Sequence, residues 1–225
     1  MQGRRVLFDI DGTLLDTRGA GLQALRRAIR QIHGGEGPEL NLGGATDSSL
    51  ARQILDHFGV ETHDEAVLLF YSTYLEYLGE HLRGGEFEGV VFPGVRELLD
   101  ELRSSGATLG LLTGNIADGA ALKIDHFGLS GYFTFGAYGD DHHDRNELGP
   151  IALQRARHAH GTTFTGGRTV IVGDTPRDID CGRAIGALTV CVATGSFGAD
   201  ELRAHGADLV VEEFGAPEPL VESLR

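Results

Sequence analysis

Residues 6–10, VLFDI, are apolar at every position but one. That is the pattern of a strand covered on both faces of a parallel sheet, not of one alternating between core and solvent. The pattern then changes. Leu22, Leu25, Ile29 and Ile32 recur at helical spacing, as do Leu50, Ile54 and Phe58, and then Leu68, Tyr71, Leu75, Leu78 and Leu82. These positions predict three or four successive helices across residues 18–83, broken by glycine-rich stretches at 33–37 and 83–85. From Phe92 onward, strand and helix patterns alternate. Pro93-Gly94 opens a helix bearing Val95, Leu98, Leu99 and Leu102. Strands are expected at 108–112, near 132–135, and at 169–172, 188–192 and 208–211, with helices over 122–127, 148–160 and 179–185.

Strands alternating with helices of this length predict an α/β fold, a doubly wound parallel sheet, interrupted after its first strand by an all-helical insert. The expected organisation is a core of residues 1–15 and 92–225 with a helical cap at 16–91, hinged near 15–18 and 84–92. Open parallel sheets bind ligands at the carboxyl ends of their strands. Those ends read FDIDGT (8–13), LLTGN (111–115), FGAYGDDHHDR (135–145) and IVGDTPRDID (171–180).

Composition narrows the field. A formal net charge of −14 argues against a nucleic-acid partner, which requires clustered Lys and Arg. Apolar runs fall short of a membrane span, and the N-terminal MQGRRVLFDIDG lacks the long apolar stretch of a secretory signal. With two cysteines, Cys181 and Cys191, at neither disulfide-framework nor zinc spacing, a cytoplasmic protein is expected. Of nineteen basic residues only Lys123 is a lysine; within a helix, it is read as a surface residue.

The chemistry gathers on acids. Asp9 and Asp11 lie two apart on an extended segment and so point to one side, where like charges repel unless a cation intervenes. A turn at Asp11-Gly12 explains Asp11, but not a carboxylate at Asp9 between Phe8 and Ile10, where burial without partners is costly. Asp174 ends a second buried strand in the same way, and Asp178 follows either as a helix cap or as a further ligand. Carboxylates converging from two strand ends make a hard oxygen site suited to Mg²⁺.

Phe-Asp-Ile-Asp-Gly-Thr-Leu, Leu-Thr-Gly-Asn and Gly-Asp-Thr-Pro-Arg-Asp, in this order, resemble the haloacid dehalogenase superfamily of aspartyl phosphotransferases, and within it the phosphoglycolate-phosphatase-like enzymes with a helical cap. The resemblance implies that Asp9 is the nucleophile, forming a phosphoaspartate, and that Asp11 is the acid and base. It implies that Thr113, Gly114 and Asn115 bind phosphoryl oxygens. It also implies that Asp9, the Asp11 carbonyl, Asp174 and Asp178 hold Mg²⁺, the last directly or through water. Relatives usually carry a lysine after the third strand; none stands there, so the phosphate-clamping cation is assigned to Arg145. Arg18 and the loop Gly43-Gly44-Ala45-Thr46-Asp47 are expected to face the substrate across the hinge, although relatives often show arginine where Ala45 stands. His142-His143 reads as loop, and Tyr71, Tyr74 and Tyr77 as cap packing.

The implied function is a Mg²⁺-dependent phosphatase of small phosphorylated metabolites such as phosphoglycolate. A phosphosugar mutase would use the same carboxylates, and a non-catalytic phosphate- or Mg²⁺-binding protein is the third reading. A Schiff-base phosphonate hydrolase would need a cap lysine, and residues 18–83 contain none. A dehalogenase has no use for Asp11. The motifs leave the oligomeric state open.

Overall fold

In the computed structural model, which describes residues 4–161, 165–215 and 221, six parallel strands form one sheet in the order β5-β4-β1-β6-β7-β8. They are β1 (Arg5–Phe8), β4 (Thr108–Leu112), β5 (Gly136–Ala137), β6 (Thr169–Gly173), β7 (Leu188–Val192) and β8 (Leu209–Val211). A separate two-stranded antiparallel ribbon joins β2 (Leu15–Asp16) to β3 (Val90–Val91). The ends of the expected core, at residues 1–3, 216–220 and 222–225, lie outside the described residues.

The register explains where the acids emerge. Phe8 pairs with Leu111 on one side and with Val172 on the other. Asp9, Thr113 and Asp174 therefore leave three adjacent strands at the same edge of the sheet. Strand β1 is shorter than the apolar run predicts. Its ladder stops at Phe8 because the Ile10 N–H turns to the Asp9 carboxylate (2.8 Å) and the Ile10 carbonyl takes the N–H of Leu14 (2.8 Å). Gly12 makes this turn at φ +79°, a left-handed value that glycine adopts without steric cost.

Helices cover both faces of the sheet: α4 (Val95–Ser104), α5 (Ala117–His126), α6 (Leu148–His160), α7 (Pro176–Ile185) and α8 (Ala199–His205). Two of them start earlier than the periodicity suggests. Helix α7 begins at Pro176 with a reciprocal cap between Thr175 and Asp178, and α5 begins at Ala117 because its first turns bury Gly119 and Ala120 rather than large side chains. The strand expected near 132–135 forms at Gly136–Ala137 instead. The Phe135 ring lies against Gly110 of β4, so that residue serves as packing, and the ladder to Leu111 and Leu112 is made by the next two. Helix α8 escapes the pattern because it buries only Ala199 and Leu202. Both cysteines are buried and free.

Between β2 and β3 lie α1 (Ala20–His33), α2 (Asp47–His57) and α3 (Asp64–Arg83). Thr46 caps α2 by accepting the Ser49 N–H at 3.2 Å, and Gly34 closes α1 in the left-handed conformation. These helices share an apolar cluster of Leu25, Ile29, Leu50, Ile54, Phe70 and Leu78, which also takes in Ile116 at the start of α5. The buried face of α3 runs through Phe70, Tyr74, Leu78 and Leu82; Leu68, expected on that stripe, is exposed. Among the described residues, no helix is long and apolar enough to cross a membrane.

Candidate active site

Asp9 projects from the tip of β1 and is only 6% exposed. Its Oδ1 accepts the Ile10 N–H, Arg145 Nη2 stands 2.9 Å from Oδ2, and the Thr113 side chain favours its charged form. Asp174 and Asp178 approach from the β6 end, so that one oxygen from each of the three acids lies within 4.8 Å of the others. Burial pushes the Asp9 carboxyl above its ordinary pKa, with Asp178 adding to the rise and Arg145 opposing it. Burial likewise raises Asp174 well above the carboxylate range, helped by the charges of Asp9 and Asp178.

Arg145 comes from the 3-10 turn Arg145–Glu147 and is buried, not paired with acids at the surface. Its Nη2 also donates to Asp178 Oδ1, and Nη1 donates to the Gly44 carbonyl at 3.3 Å. Desolvation opposes its charge, but the carboxylates of Asp178 and Asp9 outweigh this and push its pKa up. Asp178 is fully engaged. Its second oxygen accepts the Thr175 N–H (3.1 Å) and hydroxyl (2.7 Å) while Oδ1 faces the guanidinium. Asp174 Oδ1 accepts the Thr13 hydroxyl at 2.9 Å. Its carboxylate is cradled by Gly12 and Gly195, at either of which a Cβ would collide with Oδ2.

Lys123 is the residue that sequence reasoning misplaced. It is 4% exposed, and its ammonium donates to Asp11 Oδ2 and to Asn115 Oδ1, both at 2.6 Å. Asn115 in turn donates to Asp11 Oδ2 and to Thr113 Oγ1, both at 2.8 Å. The physical reason is that Lys123 follows Gly119 and Ala120 by four and three residues, on the buried face of α5, where small side chains leave room for a long one. The acid-rich strand tip below supplies its partners. Arg18 takes the opposite course. Its side chain is largely exposed beside Asp16 (3.4 Å), and it does not line the cavity.

That cavity, about 490 Å³, lies between the strand tips and the helical insert. Asp9, Asp11, Gly114, Asn115, Arg145 and Asp174 form its floor, and the insert contributes Leu22, Leu25, Leu50, Asp47 and Tyr74. Tyr74 thus both packs within the insert and faces the cavity. The 43–46 loop of the insert and the first turn of α2 are docked on the core. Asp47 N–H donates to the Gly114 carbonyl (2.7 Å), Ser48 N–H to that of Gly139 (3.3 Å), and the Thr46 hydroxyl to that of His143 (2.8 Å).

A doubly wound sheet with carboxylates at the tips of two adjacent strands, roofed by helices over a polar cavity, is the architecture of an enzyme that works from the sheet edge. The chain belongs to the haloacid dehalogenase-like hydrolase family, whose match spans residues 6–192. Among its relatives is the phosphoglycolate phosphatase of Caulobacter vibrioides, 28% identical over 95% of this chain and 89% of that protein. Another is the N-acetylmuramic acid 6-phosphate phosphatase of Pseudomonas aeruginosa, 27% identical over 100% of this chain and 96% of that protein. The crystal structure of CbbY from Rhodobacter sphaeroides in complex with phosphate shares the fold, with a TM-score of 0.73 at 19% identity and 94% of each chain covered.

Proposed function

We propose that this protein is a Mg²⁺-dependent phosphatase of small phosphate monoesters that works through a phosphoaspartate on Asp9. The observation that carries the reading is the buried Asp9 carboxylate at the strand tip, gathered with Asp174 and Asp178 and touched by Arg145. The donor set fits a divalent ion. Three buried carboxyl groups share one guanidinium, a divalent ion would relieve the mutual repulsion that raises Asp174, and all the donors are hard oxygens. Asp9, Asp174 and the Asp11 main-chain carbonyl would hold the ion, with Asp178 behind them, its oxygens engaged by Arg145 and Thr175. Bound there, Mg²⁺ supplies charge neutralisation between the carboxylate and the incoming phosphate dianion.

The remaining steps belong to side chains. An Asp9 oxygen forms a bond to phosphorus as the ester P–O bond breaks, and the leaving oxygen takes a proton from Asp11. Asp11, now a carboxylate, removes a proton from water. The water oxygen attacks phosphorus, the Asp9–phosphorus bond breaks, and inorganic phosphate and the Asp9 carboxylate are restored. Arg145, with the N–H groups of Gly114 and Asn115, receives the equatorial phosphoryl oxygens. Lys123 and Asn115 hold Asp11 over the cavity. The insert excludes bulk water while its loop is docked, and a small phosphorylated metabolite as substrate suits a cytoplasmic enzyme.

The test is phosphate release from a panel of monoesters with and without Mg²⁺, alongside Asp9→Asn. Mg²⁺-dependent release abolished by Asp9→Asn supports the reading; no release from any ester, or wild-type turnover by the variant, sinks it.

A further inference from the structure

Resting on that phosphatase reading, we infer that the alcohol released is uncharged and hydroxylated, and that esters whose leaving group carries a carboxylate are selected against. A phosphate monoester brings its dianion to the floor of the cavity, so its alcohol portion must lie against the insert and hinge. Among the described residues, that wall carries leucines, the Tyr74 ring and two carboxylates, Asp16 and Asp47. A second anion there would meet the charge of Asp47 in a partly desolvated space, where such repulsion is weakly screened, while the charge of Asp16 at the hinge is partly offset by Arg18.

Nor is a cation left to receive it. Among the described residues the cavity is lined by two, and both are committed. Arg145 is held between Asp9 and Asp178 at the floor, where the phosphoryl group takes what remains of its charge, and Lys123 is held between Asp11 and Asn115. Moving Arg145 toward a substrate carboxylate would strip the buried Asp9 and Asp178 of their partner, a change more costly than the new contact would return, and moving Lys123 would release the Asp11 side chain that it orients. Arg18, on the hinge, is paired with Asp16 and does not itself line the cavity.

The same wall suits hydroxyl groups. Asp47 offers a carboxylate, which burial pushes up to about 6 and which is therefore ionised and accepting above neutral pH. Tyr74 offers a phenol that burial, with Asp47 and Asp11 nearby, keeps protonated and able to donate. Between them, Leu22, Leu25 and Leu50 fit the carbon skeleton of a short polyol.

Matched esters test this. With Mg²⁺ present, kcat/KM is measured for phosphoglycolate against 2-hydroxyethyl phosphate, and for 3-phosphoglycerate against glycerol 1-phosphate; p-nitrophenyl phosphate serves as the general phosphatase probe. The neutral member of each pair is expected to lead by about tenfold or more, the scale of one unfavourable charge contact. Asp47→Asn is expected to narrow that ratio several-fold, and Asp16→Asn, whose charge Arg18 partly offsets, to narrow it less; because the ratio compares two substrates on one protein, loss of folded material does not move it. Activity on the probe with equal or reversed ratios overturns the inference while leaving the phosphatase intact. So does a ratio that neither variant changes. Failure to hydrolyse any of the five esters overturns the phosphatase reading, and this inference with it.

Discussion

Lys123 Nζ lies 2.6 Å from Asp11 Oδ2, and the same ammonium is 2.6 Å from Asn115 Oδ1. The lysine is buried while the Asp11 side chain remains 40% exposed to the cavity. One end of the pair is thus fixed in helix α5, and the other is presented to whatever occupies the site. Replacing Lys123 by Met keeps the bulk and removes the donor. The Asp11 carboxylate then has only Asn115 to orient it. We expect kcat to fall by about 10- to 100-fold, part of the roughly 10²- to 10⁴-fold that a positioned general acid contributes, with KM little changed because the phosphate contacts are untouched. Steady-state kinetics check this, and partial recovery in Lys123→Arg separates a lost donor from a lost fold.

Asp47 links the site to pH. Burial raises its pKa from 3.8 to about 6, with the Ile116 N–H and Lys123 opposing the rise and Asp11 and Asp140 adding to it. Below about 4 the folded and unfolded chains hold this proton equally. Between about 4 and 6 the folded chain holds more of it, so stability falls as pH rises through that window and is flat above it. A shift of this size corresponds to about 3 kcal/mol. Asparagine keeps an acceptor for the Ile116 N–H, which lies 2.8 Å from Oδ2. Urea unfolding of Asp47→Asn should match wild type near pH 4 and exceed it by up to about 3 kcal/mol at pH 7.5. A constant difference across that range would refute the assignment.

Much of this arrangement was legible in the residues. Unbroken apolar runs mark β1, β6 and β7, because both faces of a parallel sheet are covered. An acid after such a run is conspicuous, and so Asp9 and Asp174 stand out. Lys123 did not, because a lone lysine in a helix is ordinarily solvated. The clue lay in the small residues Gly119 and Ala120 on its face, whose significance depends on what sits beneath. Asp47 lies in the 43–47 loop expected to face the substrate, and it lines the cavity, whereas Tyr74 was hidden for another reason. Helical periodicity tells which face is buried, but not that the buried face also borders a cavity shared with a distant strand tip. The direction of Arg18 was equally silent, since its left-handed backbone (φ +53°) and the Asp16 carboxylate accepting its N–H at 2.7 Å are properties of the hinge turn.

Arg145 meets both acids through a single nitrogen. Nη2 contacts Asp9 and Asp178, Nη1 reaches only the Gly44 carbonyl, and the buried Nε has no hydrogen-bond partner. A lysine ammonium offers one nitrogen and brings no unsatisfied Nε. Arg145→Lys is therefore expected to retain activity within about tenfold, whereas Arg145→Ala leaves two buried carboxylates facing each other and costs about 3–5 kcal/mol of stability. Thermal melts and kcat/KM on p-nitrophenyl phosphate distinguish the two. Equal losses in both variants would mean that the planar fork itself is required.

The cradle around Asp174 gives a readout independent of turnover. A Cβ on Gly195 would collide with the Asp174 carboxylate, which Thr13 holds from the opposite side. In Gly195→Ala the Asp174 carboxylate must leave its present position, while no atom of Asp9, Asp178 or Arg145 is among the nearest contacts of the new Cβ. If Asp9 and Asp174 hold a divalent ion, Mg²⁺ at 100 times its Kd stabilises the wild-type protein by about 2.7 kcal/mol. In a chain of this size that raises Tm by roughly 5–10 °C. Gly195→Ala should lose most of this rise at the same Mg²⁺ concentration, and Asp9→Asn, which removes a ligand charge directly, should lose it as well. A full Mg²⁺-dependent shift in both variants would place the ion elsewhere. A shift lost in Asp9→Asn but kept in Gly195→Ala would show that Asp174 tolerates displacement, and would weaken its role as a direct ligand.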